Sequence, residues 1–158
     1  TTGLLIVAKN IKFAQLFTSL FRLRKIHKTY LTIAVGQLNN SKGTFNDTLY
    51  TYERNKKSQT NAITNYTVLD SNNNYMLLKL NPITGRKHQL RKQLLLHGCP
   101  VLGDFKYNNL EKSNKKKNLL MLHAYKINFS IANKKYSYFA DIPDEFIKMA
   151  KQKYLKIL

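Results

Sequence analysis

A chain of 158 residues has room for one domain with a single core, and 43% hydrophobic with 11% aromatic residues favours folding over disorder. Its 27 lysines and arginines against 8 acidic residues leave a formal net charge of +19, which implies a polyanionic partner, nucleic acid being the commonest, although the excess of lysine over arginine and the many asparagines also fit drift in an AT-rich genome. No apolar run of about 18 residues predicts a membrane span, the opening residues lack the charged start of a signal peptide, and the single cysteine, Cys99, fits a reducing cytoplasm.

Along the chain, residues 4–8 (Leu-Leu-Ile-Val-Ala) form a continuous apolar run and read as a buried interior strand. Asn10 is placed to cap a helix over residues 11–24, with Ala14, Phe17, Leu20 and Phe21 on its inner face. The basic end in Arg22, Arg24, Lys25, His27 and Lys28 complements the helix C-terminus. Residues 29–35 alternate as a strand that Gly36 ends, and residues 49–53 and 62–69 read as further strands. Asn72-Asn73-Asn74 is a turn returning into residues 75–80, a hairpin. Residues 86–97 read as a helix with Leu90, Leu94 and Leu95 inward, closed by Gly98 and Pro100. A lysine-rich loop at 112–118 precedes a long strand over 119–132, with which 135–140 can pair. Pro143 and Asp144 open a last helix whose inner face carries Phe146, Ile147, Ala150, Tyr154 and Leu158. Without repeats or linkers, residues 1–158 read as one α+β domain. Its sheet is mixed and mainly antiparallel, flanked by helices.

The stretch Thr84-Gly85-Arg86-Lys87-His88-Gln89-Leu90-Arg91 places a glycine turn and a basic helix start directly after a strand. Free backbone N–H groups at a helix start favour negative charge, and arginine can hold a carboxylate or phosphate through two parallel hydrogen bonds. Arg86 and Lys87 would occupy a first turn where the helix dipole disfavours cations, so a bound anion is expected to compensate. The rival reading is a solvated basic helix end. His88 and Gln89 can line a site or make structural hydrogen bonds.

These residues, with His97-Gly98, Pro100, Leu102-Gly103-Asp104 and Tyr107, closely resemble the pattern of RluA-type RNA pseudouridine synthases. Thr1-Thr2-Gly3 followed by Leu4 to Lys9 resembles the end of that family's His-Arg-Leu-Asp-x-x-Thr-Ser/Thr-Gly motif. Lys28-Thr29-Tyr30 resembles its Lys-x-Tyr motif, and Leu122-His123-Ala124 its late Leu-His-Ala element. The matches stand in the family's order over most of the chain, and the overall look is nearest to RluC-like enzymes acting on large-subunit ribosomal RNA. The resemblance implies a pseudouridine synthase-like catalytic domain that isomerises uridine in RNA, of the 23S type, without a cofactor or metal. Tyr30 would be catalytic, stacking on the flipped base and acting in proton transfer, and Arg91, also catalytic, would pair with the catalytic aspartate. Arg86, Lys87, His88, Gln89, Leu122 and Lys28 would bind the substrate. Each role has a rival: Tyr30 as an ordinary strand tyrosine, Arg91 as a solvated helix residue, Leu122 as core. Asp104 reads as a turn aspartate capping backbone N–H groups.

The family's nucleophilic aspartate would fall three residues ahead of Thr1, outside these 158 residues, so the domain is expected to be incomplete at its N-terminus. A separate N-terminal fragment is a candidate partner, and a non-catalytic RNA-binding remnant, or the C-terminal half of a split synthase, is the alternative reading. Asp47, Asp70, Asp104, Asp141 and Asp144 form no replacement motif. A basic nuclease using His88, His97 or His123 would need clustered carboxylates that the sequence does not place near them.

Overall fold

The chain opens with a two-residue strand, β1 (Thr2–Gly3), and a twelve-residue helix, α1 (Ile11–Arg22), in the computed structural model, which describes residues 1–53, 56–108 and 119–157. The lysine-rich loop expected at 112–118, with its run at 115–117, and Leu158 lie outside the described residues. Asn10 caps α1 as expected, its side-chain oxygen accepting from Phe13 N–H at 3.0 Å. Four strands follow: β2 (His27–Val35), β3 (Lys42–Glu53), β4 (Lys56–Ser71) and β5 (Tyr75–Pro82). Then come α2 (Gln89–Leu96), β6 (Leu122–Ile131), β7 (Lys134–Phe139) and α3 (Asp144–Gln152).

The described strands make one seven-stranded sheet in the order β1-β6-β2-β5-β4-β3, with β7 also paired to β6. Only the β1–β6 pair is parallel. β6 gives one edge to β2, so β1 and β7 share its other edge end to end. The sheet is therefore mixed and mainly antiparallel, as the composition of the strands suggested.

Residues 31–34 at the centre of β2 are all buried, because helices cover both sheet faces. On one face Leu90 and Leu94 of α2 pack against Ala34, Phe45, Met76, Leu78 and Leu80. On the other, Phe146 and Ala150 of α3 pack with Leu31, Ile33 and Leu77. Each such fully buried side chain contributes about 1.5–3 kcal/mol. Phe17 and Leu20 anchor α1 on Ile26, Ile127 and Phe129.

Several boundaries differ from the sequence reading. Residues 4–8 are not an interior strand. Gly3 has φ +98 and sits so close to β6 that a Cβ would lie 2.3 Å from Ala124 O, and after Leu4 N–H donates to that oxygen the ladder ends. Leu4 and Ile6 then pack on the α1 cluster while Leu5 and Val7 face solvent, 84% and 74% exposed. α1 stops at Arg22, with Ala14 and Phe21 exposed. β3 and β4 run well beyond the expected segments because they pair with each other in one long hairpin, from Lys42↔Thr67 to Glu53↔Lys56. Leu95 is exposed, and Tyr154, expected on the inner face of the last helix, lies past its end at φ 55, leaving Leu155 to take the buried place.

Candidate active site

Tyr30, Leu122 and the Thr84–Arg91 stretch come together at the α2 face of the sheet. Tyr30 pairs with Leu80 on one side and Ala124 on the other, and Leu122 lies two residues from Ala124, so the three project to one face. Tyr30 packs against the core cluster that contains Leu80, Leu90 and Leu122. A register shift between Thr29 and Tyr30 inserts one extra residue on β6 at this point, a bulge of the kind that re-aims side chains beside functional sites. Above this floor is a cleft of about 270 Å³ whose walls include Thr1, Lys28, Thr84, Arg86, His88 and Arg91. That volume lies near the lower end of small-ligand pockets, about 300 Å³.

The local fold here corrects the expected helix start. α2 begins at Gln89, because His88 is held in the left-handed region at φ 53 and interrupts any helix running through it. Arg86 and Lys87 therefore stand in the preceding turn rather than in the first helical turn. Gly85 lies outside the left-handed region, and a Cβ there would meet only Lys28 Nζ, at 3.5 Å.

Gln89, expected to touch substrate, lines the cleft but is buried, and its amide is bonded to the turn. Its Oε1 accepts from Thr84 Oγ1 (2.7 Å) and Arg86 N–H (3.0 Å), and its Nε2 donates to Ile63 O (3.1 Å) and Thr64 Oγ1 (2.9 Å). Thr64 passes its own hydroxyl proton to Gln93 Oε1 at 2.6 Å, and Gln93 Nε2 donates to Asp47 Oδ2 (2.8 Å) and Ala62 O (3.0 Å). Both amides are thus filled, and the chain of bonds has one direction, ending on a carboxylate. Among the described residues no buried side-chain N or O lacks a partner.

Arg91 is held by Asp104. Its Nε–H donates to Oδ2 at 2.7 Å and its Nη2 to Oδ1 at 2.5 Å, a bidentate pair whose carboxylate is only 1% exposed. Asp104 Oδ1 also accepts from the backbone N–H of Lys106 and Tyr107, both at 3.1 Å, the capping role expected of it. The guanidinium lies 4.9 Å from the Tyr107 ring centre, and Tyr107 Oη shares a 2.8 Å hydrogen bond with His88 Nδ1. Asp104 thus takes Nε and Nη2, and Arg91 also lines the cleft. Sequence reading had looked for Arg91's carboxylate partner elsewhere. The signal available was the tight turn at Gly103-Asp104, just past the helix that carries Arg91.

Burial and electrostatics set the protonation states. Burial alone would raise the Asp104 carboxyl, but the Arg91 hydrogen bond, the Tyr107 and Lys106 N–H groups and the Arg91 charge together hold it below its ordinary value. The Arg91 guanidinium is correspondingly raised, first by the hydrogen bond to Asp104. Burial raises Tyr30, keeping its phenol protonated at neutral pH, and lowers Lys28. His88 is lowered by burial, then by Arg91, Lys106, Lys87 and Lys92, so its ring is neutral at pH 7. Because the folded Asp104 value lies below the unfolded one, its stabilisation is complete above the ordinary carboxylate value of about 3.9 and is lost as pH falls through the lower folded value. Acid titration of stability is expected to show this loss, and Asp104→Asn should flatten the curve over that range; an unchanged acid limb would contradict the assignment.

Other expected contacts are placed as follows. Lys28 Nζ donates to Thr84 O at 3.5 Å on the cleft wall. Lys87 is exposed and lies outside the lining of the cleft. Leu122 is buried in the core and also lines the cleft. The two remaining histidine candidates lie apart from it: His97 donates to Asp47 at 3.1 Å, and buried His123 donates through Nε2 to Ala140 O and accepts at Nδ1 from Thr2 Oγ1. Among the described residues, no group of three or more His, Cys, Asp or Glu side chains is placed to hold a metal ion.

The cleft thus combines the Tyr30 ring with the cations Lys28, Arg86 and Arg91 among its lining. Residues 1–96 match the family described as RNA pseudouridylate synthase. The chain is 32% identical over 155 residues to the ribosomal large subunit pseudouridine synthase D of Borreliella burgdorferi, covering 93% of this chain and 47% of that protein. It is 35% identical over 159 residues to the ribosomal large subunit pseudouridine synthase C of Rickettsia prowazekii, covering 94% and 52%. It thus spans about half the length of these curated relatives. The solved structure of human RNA pseudouridylate synthase domain containing 4 superposes with a TM-score of 0.80 at 27% identity, over 94% of this chain and 70% of that one. The chain belongs to the RNA pseudouridylate synthase family, and the RluA-type resemblance read from its motifs is borne out.

Proposed function

We propose that the protein to which this chain belongs isomerises uridine to pseudouridine in RNA, with large-subunit ribosomal RNA as its substrate and the cytoplasm as its place of action. The observation that carries the reading is the cleft that joins Thr1, Tyr30, Arg91 and Leu122. The target uracil lies against Tyr30 and Leu122. Phosphates meet Lys28 and Arg86. The reaction breaks the bond from the sugar to uracil nitrogen, turns the base and rejoins it through carbon. It moves no atoms or electrons to a second molecule, so it calls for no redox or group-transfer cofactor.

The nucleophile in this reading is an aspartate three residues ahead of Thr1, either on the same polypeptide or on an associated N-terminal fragment. Thr1 lines the cleft, so a carboxylate on the chain leading into it reaches the free edge of Arg91. Residues 1–158 are then the later part of one catalytic domain. Two relatives named as acting on the ribosomal large subunit support the choice of RNA.

The test is a pseudouridine map of ribosomal RNA from cells with and without the gene. One or a few uridines should lose the modification, and wild-type protein carrying the aspartate should restore them on a transcript. Identical maps would overturn the proposal, and binding without modification would identify an RNA-binding remnant. RNA binding should also weaken steeply with salt. If Arg24, Lys28, Arg86, Lys87 and Lys92 neutralise about five phosphates, log affinity should fall against log salt with a slope of roughly −3 to −5. A slope near zero would rule out a phosphate-tracking groove.

A further inference from the structure

A second cleft, of about 450 Å³, adjoins the first and shares its Lys28, Thr84, Gly85 and Arg86 wall. Its far side is the end of α1: Phe21, Arg22 and Arg24, with Ile26 and Ile83 completing it. Four of these residues are cationic and none is acidic. Phe21 and Ile83 are large apolar side chains left 45% and 40% exposed between the charges. Aromatic surface interleaved with arginine is the chemistry that holds an unstacked base and its phosphate.

Arg24 adds an independent observation. It occupies the left-handed position just past α1, at φ 56, where helices favour glycine. The turn is locked by Arg24 N–H donating to Phe21 O (3.1 Å) and Lys25 N–H to Leu20 O (2.9 Å). An arginine is thus kept in a disfavoured backbone conformation at a position where its side chain lines the cleft. Across the cleft, Gly85 leaves the shared wall without a side chain, so a sugar–phosphate backbone can cross from one cleft to the other.

We infer that the second cleft is a nucleotide subsite that receives the base adjacent to the target uridine against Phe21, with its phosphate on Arg24 and Arg86. Consecutive nucleotides of an unstacked strand are one sugar–phosphate unit apart, which suits two clefts separated by a single wall. The inference rests on the proposed function and deepens it: recognition extends beyond the flipped base to a neighbour read by stacking, a mode tolerant of base identity.

The experiment uses the intact protein and single-stranded RNA pentamers with a central uridine, together with the same pentamers carrying an abasic residue on either side. Wild-type binding should weaken about tenfold when one of the two neighbours loses its base. Phe21→Ala should weaken binding of the parent pentamer by a similar factor and then fail to distinguish it from the abasic one. Phe21→Leu, which keeps an apolar side chain at this position of α1 but no aromatic face, should do the same if the alanine variant melts early. Arg24→Ala should weaken every pentamer alike and reduce the salt slope by about 1. Retained discrimination in both Phe21 variants, or an unchanged slope in Arg24→Ala, would overturn the subsite. Pseudouridine mapping with the same wild-type preparation separates the two proposals. Modification without this coupling removes the subsite alone, whereas loss of RNA binding and modification together removes the proposed function and the subsite with it.

Discussion

Arg91→Ala is expected to destabilise the fold by about 3–5 kcal/mol, because it leaves the Asp104 carboxylate buried without its cation. Against a total stability of about 5–15 kcal/mol for an ordinary domain, such a loss leaves a marginal protein. The two backbone N–H groups that Asp104 also accepts would remain, and they limit the damage rather than prevent it. Arg91→Lys should recover only part of the loss, since an ammonium cannot reproduce the two parallel hydrogen bonds. Replacing both partners by apolar residues of similar volume should be milder than Arg91→Ala. Urea titration of the four proteins decides the matter; an Arg91→Ala variant within about 1 kcal/mol of wild type would show that the pair carries little stability. Activity measured on Arg91→Ala alone would mix this structural loss with any catalytic one, so the lysine variant is the proper comparison for turnover.

Tyr30→Phe is expected to leave the fold and RNA binding intact while reducing pseudouridine formation by about 10²–10⁴-fold, the usual worth of a positioned proton donor or acceptor. The ring stays packed against the core cluster that contains Leu80, Leu90 and Leu122, so under the proposed function the base would keep its platform. Only the hydroxyl is lost. Since burial raises the Tyr30 phenol above its ordinary value of about 10, wild-type turnover should show no loss from tyrosine ionisation through neutral and mildly alkaline pH. Tyr30→Leu removes the platform as well, and should weaken binding of short single-stranded RNA along with turnover. Single-turnover kinetics on the modified transcript read the two effects separately. Equal turnover in Tyr30→Phe and wild type would confine Tyr30 to a stacking role.

The buried centre of the fold was legible because its residues repeat at short range. Leu31, Ile33 and Ala34 in β2 and Leu90 and Leu94 in α2 show their periods within a few positions, and the structure buries all five. The Asn72 turn was legible for the same reason: its Oδ1 accepts from Asn74 and Tyr75 N–H within three residues. What escaped depends on partners distant in sequence. The outer parts of β3 and β4 are rich in Thr, Asn and Lys, and they are strands only because each supplies the other's ladder. The helix over 86–97 looked continuous, since nothing local marks His88 for a left-handed conformation. Its ring reaches Tyr107, nineteen residues on. Leu4 to Ala8 has the composition of a strand, but Gly3 brings the backbone so close to Ala124 that the pairing ends as it begins. Of the site, Tyr30, Leu122, Lys28, Arg86, His88 and Arg91 were gathered where expected. Gln89 lines the same cleft, and the bonds its amide makes to Thr84, Arg86, Ile63 and Thr64 were not legible, because sequence shows an amide without showing which way it faces.

The one-way chain of hydrogen bonds from Arg86 N–H through Gln89, Thr64 and Gln93 to Asp47 also constrains how this protein can change over generations. Reversing one amide would set donor against donor or acceptor against acceptor at the next link, so a single substitution within the chain is penalised at two positions at once. Thr64, Gln89 and Gln93 should therefore be inherited as a set, exchanged together for an apolar solution or not at all. Asp47, set beside the exposed His97 at the outer end, has more freedom, since water can replace what it accepts. The turn that carries Arg86 is in this way tied to the history of residues on two strands, Thr64 and Asp47, that lie outside the lining of the cleft.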